Sequence, residues 1–282
     1  MNDINGVIVV NKEPNMTSRD VVNILCKKFN TKSIGHIGTL DPIATGVLVC
    51  LIGKYTRLTN ILMEHDKEYI ASFKLGLLTD TLDITGNALK KEVYSLDENK
   101  LREILNSFIG TYHQEVPIYS AVKVNGKKLY EYARNNETVE LPKKMVTIYS
   151  LDLLSITSDI ITIKIKVSKG TYIRSLIRDI GEKLGTYGCL TALNRTVLGN
   201  FKIEDSYTLE DINKDNYKLL SLEDFLDIEI INIKNNEELF KIKNGQVLNK
   251  KTDKYILFKY NNENIALYQK YCDNNIKPLI MF

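Results

Sequence analysis

The sequence predicts an α+β fold: a mixed, largely antiparallel sheet flanked by helices and loops, followed by a small β-rich C-terminal unit. Three observations carry this. Segments of two-residue alternation and segments of helical spacing are interspersed without a regular strand–helix–strand rhythm. The apolar run at residues 47–52 (VLVCLI) is bounded by glycines and has the length of a buried strand. After about residue 226 the composition shifts toward Asn, Lys and Ile. Short strand-like runs there, at 229–233, 255–260 and 265–271, surround the turn signal Asn244-Gly245.

Taken in order, residues 7–10 form a short apolar run and predict a buried strand. Thr17 or Ser18 caps a following helix whose apolar positions Val21, Val22, Leu25 and Phe29 recur at helical spacing. Residues 30–45 lose periodicity and predict an irregular loop, wedged between that helix and the strand at 46–52. Tyr69, Ala71, Phe73 and Leu75 alternate with Ile70, Ser72 and Lys74, which predicts a strand. Residues 95–98 (SLDE) read as a capping box for a helix carrying Leu101, Ile104, Leu105 and Phe108, with Gly110 placed to stop it. Ile161, Ile163, Ile165 and Val167 alternate with polar residues in the clearest strand of the chain. It runs through residues 169–172 into a helix with Leu176, Ile177, Ile180 and Leu184, closed by Gly185.

At 282 residues, 44% hydrophobic and 26% charged, the composition is that of a globular protein. No apolar run approaches the length of a bilayer span. The N-terminal run MNDINGVIVVNK lacks a basic leader with a long apolar stretch, so no secretory signal is expected. Cys26, Cys50, Cys189 and Cys272 are scattered without a C-x-x-C pair, the pattern of reduced thiols in a cytoplasmic protein. The histidines His36, His65 and His113 are equally dispersed, and no metal site is expected. A net charge of +3 does not by itself announce a nucleic-acid binder. Lys123, Lys127, Lys128, Arg134, Lys143 and Lys144 nevertheless crowd one stretch, with Tyr119, Tyr130 and Tyr132 among them. Solvated faces explain the charge; the interleaved aromatic faces add RNA as a second reading.

Two tempting motifs fail. Residues 46–54 contain glycine and Gly-Lys at the wrong spacing for a phosphate-binding loop, and residues 35–38 (GHIG) are too short for a dinucleotide fingerprint. What remains is the loop around Asp41. Asp41-Pro42 alone reads as an ordinary turn or helix start. The density of Gly, Thr, His and Asp beside an apolar strand adds a second reading, a carboxylate held in place where backbone can approach a ligand closely. Residues 168–174 (SKGTYIR) lie at a strand–helix seam, with Arg174 either a surface charge or a partner for Asp41. An arginine facing Asp41 would hold the carboxylate ionised, as a nucleophile requires.

These motifs, in this order, are similar to those of the TruB family of tRNA pseudouridine synthases. GHIGTLDPIATGVL (35–48) resembles the family's catalytic motif and DKEY (66–69) its second. VPIYSAVKVNGKKLYEYAR (116–134) resembles its RNA-gripping thumb, SKGTYIR (168–174) the following motif and LNRT (193–196) the last. The resemblance spans about residues 4–225. It implies a pseudouridine-synthase catalytic domain at 1–225, with a thumb-like insertion at about 117–145, and a reduced PUA-like domain at 226–282, for which KNGQVL (243–248) is the best match.

The resemblance also implies a reaction. Uridine 55 in the TΨC loop of tRNA would be isomerised to pseudouridine without a cofactor, by a monomer that needs no protein partner and no membrane. Asp41 would be the nucleophile, Tyr69 would stack on the base, and Tyr172 would sit against the ribose or base. Arg174 would pair with Asp41, His36 would fill space left by extruded nucleotides, and Leu193 would shape the pocket wall. Lys12 and Arg195 would support the site or touch phosphate, while Lys123, Lys127, Lys128 and Arg134 would grip RNA. Alternatives are a tRNA-binding or folding protein whose catalysis is secondary, and a guide-dependent relative.

Three positions depart from the family pattern. The segment KEPNMTS (12–18) has Asn15 where glycine is usual, and asparagine suits a left-handed turn. Ile37 stands where threonine is common, and Asn194 where arginine is frequent.

Overall fold

A computed structural model describes residues 4–272 and 274–282; the first three residues of the N-terminal run discussed above lie outside it. Nine strands form the main sheet: β1 (Gly6–Lys12), β2 (Ile34–Ile37), β3 (Thr45–Ile52), β4 (Lys67–Leu75), β5 (Gly110–Glu115), β6 (Lys143–Thr157), β7 (Ile160–Val167), β8 (Gly188–Leu198) and β9 (Phe201–Lys202). Their order is β1-β3-β8-β4-β7-β6-β5, with β2 pairing β3 and β9 pairing β8. Every pairing in this sheet is antiparallel except β3 with β8.

Three helices cover one face: α1 (Ser18–Lys28), α2 (Glu98–Ser107) and α3 (Ile173–Leu184). Their apolar stripes, including Val21, Val22, Leu25, Leu101, Leu105, Leu176, Ile177 and Ile180, join Ile8, Val10, Leu48, Cys50, Phe73 and Ile163 in the largest core. The alternate residues of β1 and β3 (Val7, Val9, Val47, Val49, Leu51) face a second core shared with Leu257, Leu267 and Ile280 of the C-terminal region. Both faces of β3 are therefore buried, which is why its sequence is a continuous apolar run. Farther along the sheet β7 has only one covered face, and its sequence alternates accordingly.

The C-terminal strands β10 (Ile228–Asn232), β11 (Leu248–Asn249), β12 (Tyr255–Tyr260), β13 (Glu263–Lys270) and β14 (Asn275–Met281) make a five-stranded sheet in the order β10-β12-β13-β14-β11. A helix not expected from the sequence, Asn236–Lys243, packs on it through Ile242. Asn244 caps that helix and Gly245 (φ +62°) follows it, so the Asn-Gly pair ends a helix instead of turning a hairpin.

Two other local expectations change. The loop assigned to residues 30–45 contains β2, whose residues 34–37 pair with 49–52; a four-residue strand is too short to show periodicity. The helix after residue 95 is capped by Asp97, which accepts from the Asn99 and Lys100 N–H groups, so Ser95 is not its cap. A carboxylate two residues nearer the helix simply outcompetes the serine. Thr17 does cap α1, in a reciprocal capping box with Asp20, and Asn15 is left-handed (φ +63°). Among the described residues no helix is long and apolar enough to cross a membrane.

Candidate active site

The outer edge of β3 is shared by two strands that diverge. Thr45 and Gly46 lie parallel to Asn194 and Arg195 of β8, whereas residues 49–52 pair with β2. Residues 38–44 emerge at this fork, and Arg195 fills it. Its Nε donates to the Val47 carbonyl at 2.7 Å and its Nη2 to the Gly38 carbonyl at 2.6 Å. Gly46 (φ +95°) permits the close approach: a Cβ there would lie 2.3 Å from the Arg195 carbonyl oxygen and from Asn194 Oδ1.

The loop is pinned from below as well. The Ser18 hydroxyl accepts from the Leu40 N–H at 2.9 Å and lies 3.2 Å from the Leu40 carbonyl. Lys12 Nζ donates to the carbonyls of Glu13 (2.8 Å), Met16 (2.7 Å) and Pro42 (3.3 Å). The Asn15 N–H also donates to Pro42, at 2.9 Å. Burial pushes the Lys12 amine down to about 8, the Asp41 carboxylate opposing that fall. Lys12 and Arg195 are 0% and 1% exposed. Lys12 directs its donors to backbone carbonyls beneath the loop, while Arg195 gives two of its donors to such carbonyls and also lines the cleft described below, so both support the loop.

Asp41 projects from this rigid loop. Arg174 Nε donates to its Oδ2 at 2.9 Å and Nη2 to its Oδ1 at 3.1 Å. The guanidinium is held in turn by the carbonyls of Thr81 (2.8 Å) and Tyr119 (3.0 Å). Arg174 is 5% exposed, while the Asp41 side chain keeps 36% exposure. The pair thus presents one fixed, solvent-facing carboxylate over a buried cation.

A cleft of about 830 Å³ opens over it, lined by Asp41, Tyr69, Tyr119, Tyr172, Arg174 and Leu193, among others. Tyr69 reaches it from β4, where the alternation turns 69, 71 and 73 toward the same side. Tyr172 is the residue before α3; burial pushes its phenol up, so it stays protonated at neutral pH. Lys67, two residues before Tyr69, also lines the cleft, and burial brings its amine down to about 8.

The other expected residues fall elsewhere. His36 lies on β2 outside the lining of the cleft; burial lowers its pKa, and its Nδ1 is buried without a hydrogen bond. Lys123, Lys127, Lys128 and Arg134 sit on a short ribbon (Lys123–Val124 with Lys127–Lys128) and the following helix Leu129–Arg134. Lys127 is paired with Glu137 at 2.6 Å and lies over the Tyr132 ring at 4.6 Å. Lys128 and Arg134 both lie against the Tyr130 ring, at 5.4 and 5.3 Å. Tyr130 lines the cleft, so this basic cluster adjoins its mouth.

Sequence reasoning missed Ser18 as a loop anchor, Thr81, and Asp83, which is 5% exposed. Asp83 Oδ1 accepts from the hydroxyls of Thr81 (2.9 Å) and Thr85 (2.5 Å) and so orders the segment whose carbonyl holds Arg174. The repeated Thr and Asp at 79–85 was the available signal.

A fixed carboxylate in a tyrosine-walled cleft has the chemistry to attack an electrophilic carbon or to take a proton, the equipment of an enzyme site. Comparison with known proteins narrows this. The model for the N-terminal domain of TruB family pseudouridylate synthases matches residues 26–173, and that for the tRNA pseudouridylate synthase B C-terminal domain matches 174–239. A tRNA pseudouridine synthase B of Caldanaerobacter subterraneus subsp. tengcongensis is 42% identical over 274 residues, covering 95% of this chain and 92% of that protein. One from Mycoplasma mycoides subsp. mycoides SC is 41% identical over 281 residues, covering 96% and 94%. Among solved structures, a chain of a Cbf5-Nop10-Gar1 complex superposes with a TM-score of 0.69 at 25% identity, covering 95% of this chain and 79% of that one. A chain of an H/ACA RNP bound to a substrate RNA shares the fold, with a TM-score of 0.69 at 23% identity over 98% of this chain and 84% of that one. The chain belongs to the TruB family of pseudouridylate synthases, and it is an isomerase with the pseudouridine-synthase fold.

Proposed function

We propose that this protein is a tRNA pseudouridine synthase that isomerises uridine 55 of the TΨC loop, with Asp41 as the nucleophile. The observation that carries the reading is the two-bond clasp of Arg174 on Asp41 beneath a cleft walled by Tyr69 and Tyr172. The names of its relatives supply the tRNA substrate.

In this reading the target uridine swings out of the loop at a cost of a few kcal/mol, offset by phosphate contacts elsewhere on the RNA. Tyr69 stacks on the base and Leu193 closes the wall. The carboxylate of Asp41 attacks the base or sugar, or takes a ribose proton. The N1–C1′ bond breaks, the uracil turns, a C5–C1′ bond forms, and the C5 proton leaves to solvent. Tyr172, kept protonated by burial, stands beside the ribose and the reacting carbons.

We assign residues 1–225 to catalysis and 226–282 to a reduced PUA-like unit. The insertion at about 117–145 is assigned as the thumb that grips the TΨC stem-loop, with Lys123, Lys127, Lys128 and Arg134 facing phosphate. His36 is assigned to the space vacated by the extruded nucleotides. The protein works as a cytoplasmic monomer with tRNA as its partner.

The test uses unmodified tRNA tritiated at uracil C5. Wild-type protein releases label, with pseudouridine mapped to position 55, and Asp41→Asn releases none. Equal turnover by Asp41→Asn removes the nucleophile assignment; modification at another position removes the site assignment.

A further inference from the structure

We infer that Gln114 is a positioning residue for the reaction, holding the Tyr172 wall of the cleft in its working geometry. The inference rests on the reading that Tyr172 faces the target nucleoside. Gln114 lies on β5, the edge strand farthest in the sheet from β1, and is 1% exposed. Its carboxamide closes on the main chain of Tyr172 like a second strand. Oε1 accepts from the Tyr172 N–H at 2.8 Å, and Nε2 donates to the Tyr172 carbonyl at 3.1 Å. The remaining Nε2 hydrogen goes to the Tyr112 phenol oxygen at 2.7 Å.

The amide has one satisfied orientation. A flip would set its NH2 against the Tyr172 N–H and its oxygen against the carbonyl, so the contact fixes direction as well as distance.

The place held is the start of α3, whose N-cap residue is Tyr172 and has no side-chain cap. The same Tyr172 carbonyl accepts the Leu176 N–H at 3.1 Å, the first bond of the helix. Arg174 follows two residues later. One amide therefore fixes the turn from which both Tyr172 and the partner of Asp41 project. The clamp is itself braced. The Tyr112 phenol donates to Asp179 at 3.3 Å, Asp179 takes two bonds from Arg178 (2.9 and 2.7 Å), and Arg178 reaches back to Glu115 at 2.8 Å. A buried glutamine that served packing alone would need no such aim at the main chain of the cleft.

The experiment compares wild type, Gln114→Leu, Gln114→Glu and Tyr112→Phe for turnover of C5-tritiated tRNA, tRNA Kd and thermal midpoint. Gln114→Leu lowers kcat by about 10- to 100-fold, the cost expected of a displacement of about 1 Å, with Kd held within about twofold. Gln114→Glu keeps the acceptor and loses the donors. Burial raises its carboxyl pKa, and protonation restores a donor, so its kcat relative to wild type rises as pH is lowered. Tyr112→Phe retains both bonds to Tyr172 but removes the brace on the amide, so its turnover falls between that of wild type and Gln114→Leu. Full kcat in a folded Gln114→Leu overturns the inference, as does a loss confined to thermal midpoint and Kd. Should the leucine variant not fold, a pH-independent ratio for Gln114→Glu overturns it equally. Absence of label release from wild type would remove the proposed reaction instead; an active wild type beside an unimpaired Gln114→Leu removes only the role of Gln114.

Discussion

Arg174 grips both oxygens of Asp41 and is itself gripped by the carbonyls of Thr81 and Tyr119. Four directed hydrogen bonds leave the guanidinium a single position, so the carboxylate is aimed before any substrate arrives.

Lysine cannot reproduce that fork. Arg174→Lys is expected to lower kcat by about 100- to 1000-fold while tRNA Kd changes little. Single-turnover tritium release alongside filter binding checks this, and unchanged kcat would dismiss the pair as an ornament of the cleft.

The buried Lys12 amine gives a pH signature. Its pKa lies at about 8 against 10.5 in an open chain, because burial disfavours the charged form. Between those values the unfolded chain holds the extra proton, so the contribution of Lys12 to stability rises with pH. Below about 8 both states are protonated and the contribution is flat. Urea midpoints of wild type and Lys12→Met, measured across that interval, should show the gap moving in favour of wild type as pH rises. A gap that shrinks contradicts the assignment of Lys12 as a buried support.

Gly46 offers a steric test. A methyl group there would meet the Arg195 carbonyl and Asn194 Oδ1 at 2.3 Å, on a backbone at φ +95°. Gly46→Ala is expected to cost about 3 kcal/mol of stability, read as a lower urea midpoint. Wild-type stability would mean that β3 and β8 do not pair as described.

On the ribbon and helix at 123–134, Lys127 is already occupied by Glu137, whereas Lys128 and Arg134 lie on the Tyr130 ring beside the cleft mouth. Lys128→Ala should therefore weaken tRNA binding more than Lys127→Ala, and lower the salt slope of log Kd by about 1. Equal slopes for wild type and both variants, measured by titration at several salt concentrations, would take this ribbon off the RNA.

Much of this molecule was legible where one physical signal dominated. The alternation at 161–167 and the glycine-closed stripe of α3 announced their elements because side-chain burial repeats with backbone geometry. Asp41, Arg174, Tyr69 and Tyr172 could be named from motifs, and the fold brings all four to one cleft. Elements set by competition between neighbours were not legible. β2 exists because β3 offers an open edge, and the helix Asn236–Lys243 carries only one fully buried apolar residue, Ile242. The roles of Lys12 and Arg195 were ambiguous for the same reason: charge is visible in sequence, whereas the carbonyls that consume it are not. Gln114 and Ser18 act through backbone groups of residues 58 and 22 positions away, which no local pattern encodes.

The parallel contact of Thr45 and Gly46 with Asn194 and Arg195 joins segments about 150 residues apart in the chain. During synthesis the Asp41 segment leaves the ribosome long before the guanidinium that secures its Gly38 and Val47 carbonyls exists. A nascent chain ending before residue 195 can build local helices and hairpins but lacks the side chain that ties down the Gly38 and Val47 carbonyls. The Asp41 segment thus gains its Gly38 and Val47 anchors late, with the arrival of a single arginine.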